Sequence, residues 1–254
     1  MSYEYIQSDV TDGVGTIVLK RDSLNILNIA MMEEINTALQ DFANQAIKVL
    51  VFRAEGKSFC SGVDIGEHMG DLAPKMIHSF HSMFRNMDKL GVPSIAVVNG
   101  AAIGGGCELA VYCDLVIASE KAKIGQPEIN VGVFPPIAAL VFPRIMGRKK
   151  AMELIMSGDI IGAEESKQLG LVNQVVPPDQ LEEEAQKFIQ KFTQNSGVVL
   201  KYTRQAIMHG IEEEQERVLE QIEDTYLNKL MNTEDAIEGL DAFLNKRKPV
   251  WKEK

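Results

Sequence analysis

The stretch S-I-A-V-V-N-G-A-A-I-G-G-G-C-E-L-A-V-Y-C-D, residues 94–114, is the segment around which the fold is predicted to form. Residues 94–98 are a short apolar run rich in β-branched side chains, which is typical of a buried strand, and an Asn-Gly turn dipeptide follows them. The apolar pattern from Cys107 onward predicts a short buried helix. The three glycines at 104–106 would then lie at the N-terminus of that helix.

Glycines at a helix N-terminus leave the first backbone N–H groups open to an oxygen of another molecule, because no Cβ covers them. Glu108 follows Gly105 by three residues, which places both on one helix face, roughly 4.5 Å apart along the axis. A carboxylate beside such N–H groups suits chemistry in which a carbonyl is polarised while a proton moves at a neighbouring carbon. A tight strand-to-helix turn, with Glu108 favoured by the helix dipole, explains the same residues, and spacing alone leaves both interpretations open.

Two further motifs follow predicted strands. K-S-F-C-S-G-V-D-I at residues 57–65 comes after the apolar run 49–52, and I-G-Q-P-E-I at 124–129 comes after the run 115–118. Together with N-G-A-A-I-G-G-G-C-E-L, these motifs in this order and spacing resemble the crotonase superfamily, which includes the enoyl-CoA hydratases and isomerases. The resemblance covers nearly the whole chain.

Chain length and element order predict a single α/β domain with an appended piece. A β-hairpin is expected in residues 3–20, and strand–helix alternation after it would leave functional loops at the C-terminal ends of parallel strands. The resemblance implies an α/β fold with a crotonase-like ββα spiral core over residues 1–195. It further implies a C-terminal helical trimerisation region over 196–254, within which residues 212–214, E-E-E, are predicted to be a solvated helix face.

Composition argues against several classes of partner. The formal net charge is -10 with no long basic block, which argues against nucleic acid as the main partner but leaves room for a local basic patch that binds a phosphorylated ligand. Apolar runs are too short to span a membrane, and the N-terminus lacks the pattern of a secretory signal, so we expect a cytoplasmic protein. The three cysteines lack metal-ligand spacing, and His78 and His81 lack a third ligand, so no metal site is predicted.

The resemblance assigns the chemistry to four residues. The backbone N–H groups of Ser61 and Gly105 match the oxyanion hole of the family, and Glu108 and Glu128 match the two catalytic glutamates of the hydratases. Hydration of an α,β-unsaturated thioester requires a base for the water at the β-carbon and a proton for the α-carbon, which two carboxyl groups can supply. Two like charges in a closed site also raise one pKa, which keeps an acid available near neutrality.

Coenzyme A is expected as part of the substrate, with no permanently bound cofactor. By resemblance, the residues that would bind it lie in two segments: Ser61, Val63, Asp64, Ile65, Phe243 and Lys246. Asp64 fits a structural cap equally well. Phe243 and Lys246 belong to the tail F-L-N-K-R-K-P, which in the family reaches coenzyme A of a neighbouring subunit and which could also be a frayed helix end. The expected assembly is a homotrimer or a dimer of trimers.

The segment after Glu128 departs from the family pattern. Where hydratases usually carry a glycine-rich run, residues 136–139 are P-I-A-A, and this difference is expected to change the substrate without touching either carboxylate. The resemblance implies that a Met-rich helix within 67–90 lines the acyl pocket, where unbranched Met side chains adapt to varied shapes. We therefore hypothesise a substrate such as cyclohexa-1,5-diene-1-carbonyl-CoA. An enoyl-CoA isomerase or decarboxylase, and a non-catalytic relative that binds acyl-CoA or RNA, are the alternatives.

Overall fold

The computed structural model describes residues 3–212 and 215–252. In chain order, the strands are β1 (Ile6–Thr11), β2 (Val14–Leu19), β3 (Val49–Ala54), β4 (Ser58–Cys60), β5 (Ser94–Val98), β6 (Ala101–Ile103), β7 (Leu115–Ser119), β8 (Lys123–Gly125), β9 (Ile160–Gly162) and β10 (Gln174–Val176). The helices are α1 (Ile29–Phe42), α2 (Leu72–Leu90), α3 (Gly105–Tyr112), α4 (Pro136–Met146), α5 (Arg148–Ser157), α6 (Ala163–Gln168), α7 (Leu181–Thr193), α8 (Gly197–Glu212), α9 (Gln215–Asp224) and α10 (Glu234–Leu244).

The larger sheet has the strand order β1-β2-β3-β5-β7-β10. The predicted N-terminal hairpin is confirmed: β1 and β2 pair antiparallel around Asp12 and Gly13, which both have positive φ, as a tight hairpin turn requires. From β2 onward each strand of this sheet is parallel to its neighbour. The apolar runs therefore form the central strands that the sequence predicts.

A smaller second sheet, in the order β4-β6-β8-β9, is the feature that the sequence pattern did not predict. Its strands have only three residues each, too few to show an alternating pattern. Each of β3, β5 and β7 continues into a short strand of this second sheet and then into a helix. These successive ββα turns confirm the spiral core that the resemblance implies.

Both faces of the central strands of the larger sheet are buried. Alternate residues of β3 and β5, such as Val51 and Ile95, pack against α7, while their neighbours Phe52 and Ala96 belong to the main core with α1 and α2. A glycine is required where α3 packs against β4. A Cβ on Gly106 would lie 2.2 Å from the carbonyl oxygen of Cys60. Helix α3 can approach β4 this closely only without a side chain at that position.

The described chain after β10 is mainly helical up to the end of α10 at Leu244. Arg204 on α8 joins them to the core, because its Nε donates to Asp114 Oδ2 at 2.9 Å and its Nη2 donates to Asp88 Oδ1 at 3.3 Å. The boundary at 195/196 stays a prediction. The predicted solvated face at 212–214 lies outside the side chains that the structure describes.

The remaining sequence predictions concern membranes, metals and thiols. No helix in residues 3–212 and 215–252 combines the length and apolarity that a bilayer span needs. His78 is exposed whereas His81 is fully buried and bonded to Glu223, and no cluster of potential metal ligands occurs in these same residues. Cys60, Cys107 and Cys113 are free thiols buried in the core.

Candidate active site

One cavity of about 540 Å³ brings the three motifs together. Its lining includes residues from the loop after β4, the N-terminus of α3, the turn after β8 and the C-terminal helices: Val63, Gly105, Glu108, Glu128, Phe134 and Tyr226. The three strands β3, β5 and β7 are neighbours in one sheet and run in the same direction, so the segments that follow them meet at one edge. The predicted convergence of the motifs is confirmed.

Glu108 lies in the first turn of α3 and is only 2% exposed. Its Oε1 accepts hydrogen bonds from the backbone N–H groups of Ile137 at 2.6 Å and Ala138 at 2.9 Å. These donors are in the first turn of α4, where helical N–H groups have no intrahelical partner. The segment that departs from the family pattern therefore anchors Glu108 through its backbone, a contact that the sequence did not reveal.

The protonation of Glu108 reflects two opposing effects. Burial disfavours the charged form and raises the pKa of Glu108 to about 7, and the hydrogen bonds from Ala138 and Ile137 lower it only in part. A carboxyl group with this pKa can take up and release a proton near neutral pH.

Glu128 lies in a 3-10 turn, Pro127–Val131, directly after β8. Its Oε1 lies against Gly104, where a Cβ would be 2.7 Å away, and Gly104 also has a φ of +55°. The buried side chain of Gln126, oriented with its amide nitrogen toward Glu128, donates to that carboxylate at 3.2 Å and to the Gly104 carbonyl at 3.3 Å. Gln126 thus holds Glu128 in place, a role that the sequence did not reveal.

The two glutamates influence each other across the cavity. The pKa of Glu128 is raised well above its ordinary value, first by burial and then by the negative charge of Glu108. Because burial and mutual repulsion disfavour two charges in this space, the pair shares one proton near neutral pH, and its two titrations belong to the pair as a whole. The arrangement therefore offers one acid and one base in the same space.

Ser61 does not supply an oxyanion donor, contrary to the sequence prediction. Its backbone N–H donates to the carbonyl oxygen of Leu24 at 2.9 Å and is not available to a ligand. The Leu24 carbonyl already accepts the hydrogen bond that the prediction assigned to a thioester oxygen.

Val63, two residues further on, has the available N–H. Leu27 donates to the Gly62 carbonyl at 2.9 Å and accepts from the Asp64 N–H at 2.8 Å. Backbone groups of successive residues in an extended segment point to opposite sides, so the N–H of Val63 points away from Leu27, toward the cavity that Val63 lines. The motif includes Val63, but only the pairing with Leu27 shows that the N–H group of Val63 is the one that points toward the cavity.

Gly105 is the second available donor. It is the first residue of α3, so its N–H has no partner within the helix. Among the described residues, neither this N–H nor that of Val63 has a hydrogen-bond acceptor. The Val63 side chain adjoins Gly105, since a Cβ on Gly105 would lie 2.5 Å from Val63 Cγ2. Two unengaged backbone donors therefore border one part of the cavity.

The residues predicted to bind coenzyme A fall into two groups. Ser61, Val63, Asp64 and Ile65 all line the cavity, and Asp64 is also a cap, because its Oδ1 accepts from the Gly66 N–H at 2.9 Å.

The tail residues behave differently from each other. Phe243 lines the cavity of its own chain, whereas the resemblance implies a neighbouring subunit, and Lys246 is not part of that lining. Arg247 pairs with Glu238 at 2.5 Å and with Asp241 at 2.6 Å, so its charge is already balanced.

Comparisons with known proteins agree with this site. The family model of enoyl-CoA hydratase/isomerase matches residues 9–254. The chain belongs to the enoyl-CoA hydratase/isomerase family. A probable enoyl-CoA hydratase of Rhizobium meliloti (strain 1021) is 38% identical over 99% of each chain, and a crotonyl-CoA hydratase of Syntrophomonas wolfei is 34% identical over 98% of each.

Solved structures show the same fold. An enoyl-CoA hydratase from Mycobacterium avium subsp. paratuberculosis superposes with a TM-score of 0.88 at 29% identity, covering 99% of this chain and 100% of the other. For this member of the enoyl-CoA hydratase/isomerase family, the match confirms the fold over its whole length.

Proposed function

We propose that the protein catalyses the reversible hydration of an enoyl-CoA thioester. The observation that carries this proposal is the pair Glu108 and Glu128, which line one cavity together with the unengaged N–H groups of Val63 and Gly105. The names of its relatives support the same activity. A family member with two such carboxylates has both groups that water addition needs, whereas an isomerase or decarboxylase has less use for the second.

The thioester carbonyl would accept hydrogen bonds from Val63 and Gly105. As water adds, negative charge develops on that oxygen, and each preorganised donor is worth about 3 kcal/mol at a comparable oxyanion site. These hydrogen bonds polarise the carbonyl, which makes the β-carbon more electrophilic. They also stabilise the enolate that forms next. This role needs only backbone N–H groups, so the Ser61 hydroxyl takes no part.

The carboxyl groups would move the protons. Ionised Glu108 removes a proton from water while the water oxygen forms a bond to the β-carbon, and protonated Glu128 delivers a proton to the α-carbon. The C=C π bond is consumed, and one C–O and one C–H bond form. The one proton that the pair shares near neutral pH supports this division into an acid and a base.

Coenzyme A would enter as part of the substrate and lie along Val63, Asp64 and Ile65, with Phe243 at the entrance. For the acyl group we propose a cyclic dienoyl thioester as the variant to test. Two observations support this proposal. The lining of the chamber is apolar and includes Met76, and bulky residues at the start of α4 lie next to Glu108.

A panel of enoyl-CoA thioesters, followed by loss of the enoyl-thioester absorbance, tests the activity. In isotopically labelled water a hydratase incorporates solvent oxygen at the β-carbon, while an isomerase leaves the product free of label. Binding of coenzyme A thioesters without turnover would instead support a non-catalytic protein. Efficient turnover of crotonyl-CoA with none of cyclohexa-1,5-diene-1-carbonyl-CoA would reject the cyclic substrate but retain the hydratase.

We also propose a homotrimer or a dimer of trimers. An apolar stripe on α8 supports self-association, since Val198, Val199, Tyr202 and Ile207 are each more than half exposed. Light scattering of the wild-type protein and of Val199→Asp tests this. A monomeric wild-type protein would contradict the proposal, and a smaller assembly for Val199→Asp would support it.

A further inference from the structure

Tyr226 is a polar group at the active site that the hydration mechanism above does not use. It lies in a π-helical turn, Thr225–Lys229, which interrupts the helical C-terminal region between α9 and the segment that leads to α10. Turns of this kind change the direction in which side chains point and are frequent at functional sites. The ring of Tyr226 packs edge-on against Phe134, with centroids 5.2 Å apart, and the residue is only 1% exposed.

The side chain of Tyr226 lines the same chamber as Glu108 and Glu128. Its hydroxyl makes no hydrogen bond to a described residue, and it is not among the buried side-chain atoms that are sealed off without a partner, so it borders open space. A buried phenol hydroxyl normally has a partner. Its partner is therefore expected to be a molecule in the cavity.

The surroundings keep this hydroxyl in its neutral form. Burial raises the pKa of Tyr226, and the negative charges of Glu108 and Glu128 raise it further. Because both carboxylates raise the pKa of Tyr226, the phenol lies close to the pair. Glu108 uses its Oε1 for Ile137 and Ala138, so its Oε2 remains free of protein donors among the described residues. A water between the carboxylates would thus occupy the chamber that this phenol donor also lines.

We propose that Tyr226 is a further catalytic residue, whose hydroxyl donates a hydrogen bond to the oxygen that is added to or lost from the β-carbon. The inference rests on the proposed hydratase function. In dehydration the leaving oxygen gains negative charge as the C–O bond breaks, and a neutral phenol donor stabilises that charge. In hydration the same hydrogen bond orients the water for attack, and no proton is transferred from the phenol in either direction.

Tyr226→Phe tests the inference, because it removes the hydroxyl and keeps the ring that packs against Phe134. Two reactions are compared: hydration of crotonyl-CoA, and exchange of the α-hydrogens of butyryl-CoA with deuterium oxide. The exchange needs the oxyanion donors and a carboxylate but involves no oxygen at the β-carbon. Tyr5→Phe is the matched control, because it keeps the ring that stacks with Arg21 and Tyr5 does not line the cavity.

We expect Tyr226→Phe to lower kcat for hydration by about tenfold, with KM and α-hydrogen exchange within about twofold of wild type. Tyr5→Phe should match wild type in both reactions. Hydration by Tyr226→Phe at the wild-type rate, or an equal loss of hydration and exchange, would overturn the inference while leaving the hydratase function intact. A wild-type protein that hydrates no thioester would remove the proposed function and this inference with it.

Discussion

Oε1 of Glu128 lies 2.7 Å from the position that a Cβ on Gly104 would take. Gly104 also has a φ of +55°, which side chains of L-amino acids rarely allow. Position 104 therefore requires glycine for two separate reasons: the carboxylate of Glu128 fills the space of a Cβ, and the backbone has a positive φ. Any side chain at position 104 would displace Glu128 from the cavity.

Gly104→Ala is expected to lower kcat by about 10²-fold, because a displaced carboxylate loses its place opposite the α-carbon. Gly70→Ala is the matched control, since Gly70 has the same φ of +55° but open space where its Cβ would be. Steady-state kinetics and thermal unfolding of both variants separate backbone strain from steric displacement. Equal kinetic losses in the two variants would contradict the steric explanation.

Glu108→Gln and Glu128→Gln are each expected to lower kcat for hydration by about 10³-fold, because each removes one of the two proton-transfer groups. The folded structure should persist, since glutamine keeps the size of the side chain and an oxygen that can accept from Ile137 and Ala138. Circular dichroism and initial rates of hydration check both parts. Near wild-type rates in either variant would exclude that glutamate from the chemistry.

Glu108→Gln should stabilise the protein at alkaline pH. The folded pKa of about 7 lies above the ordinary value of 4.5, so the stability of wild type that depends on protonated Glu108 is present below pH 4.5 and is lost as pH rises through 7. The loss amounts to at most about 3 kcal/mol. Urea unfolding of both proteins at pH 5 and pH 8 measures this loss. The free energy of unfolding of Glu108→Gln should rise relative to that of wild type between these two pH values. If the difference between the two proteins stays constant, burial of an ionised Glu108 is contradicted.

The pH dependence of kcat/KM is expected to be bell-shaped. Activity should rise with pH as Glu108 loses its proton near pH 7, and it should fall at higher pH as Glu128 loses the proton that it delivers. Rates of hydration in buffers of constant ionic strength measure this profile. A rate that already falls on going from pH 6 to pH 7 would reverse the roles assigned to the pair.

Phe243→Ala is expected to raise KM for acyl-CoA thioesters several-fold with little change in kcat, because Phe243 lines the cavity yet is 54% exposed, unlike the two carboxylates. Lys246→Ala tests whether the lysine binds coenzyme A, and a raised KM that depends on salt concentration would support binding to a phosphate. Arg247→Gln serves as the control, since Arg247 is occupied by Glu238 and Asp241. The proposed role of Phe243 fails if KM stays at the wild-type value.

Sequence reasoning established the main strands, the hairpin and the segments that carry the site. Apolar runs such as those of β3 and β5 are long enough to show their burial, and Gly104 and Gly105 mark the close approaches that any side chain would block. Glu108 and Glu128 were identified through the order and spacing of the motifs. The small sheet was implied only by the resemblance, because strands of three residues carry no pattern of their own.

Local sequence determined which residues are placed at the strand ends, since hydrophobic periodicity and glycine act over a few neighbouring positions. Only the tertiary structure decided which groups those residues meet. The carbonyl of Leu24 occupies the Ser61 N–H, leaving Val63 as the donor, and the N-terminus of α4 anchors Glu108. Tyr226 reaches the same cavity from far along the chain. Such contacts depend on long-range packing, and hydrogen-bond direction and pKa follow from that packing.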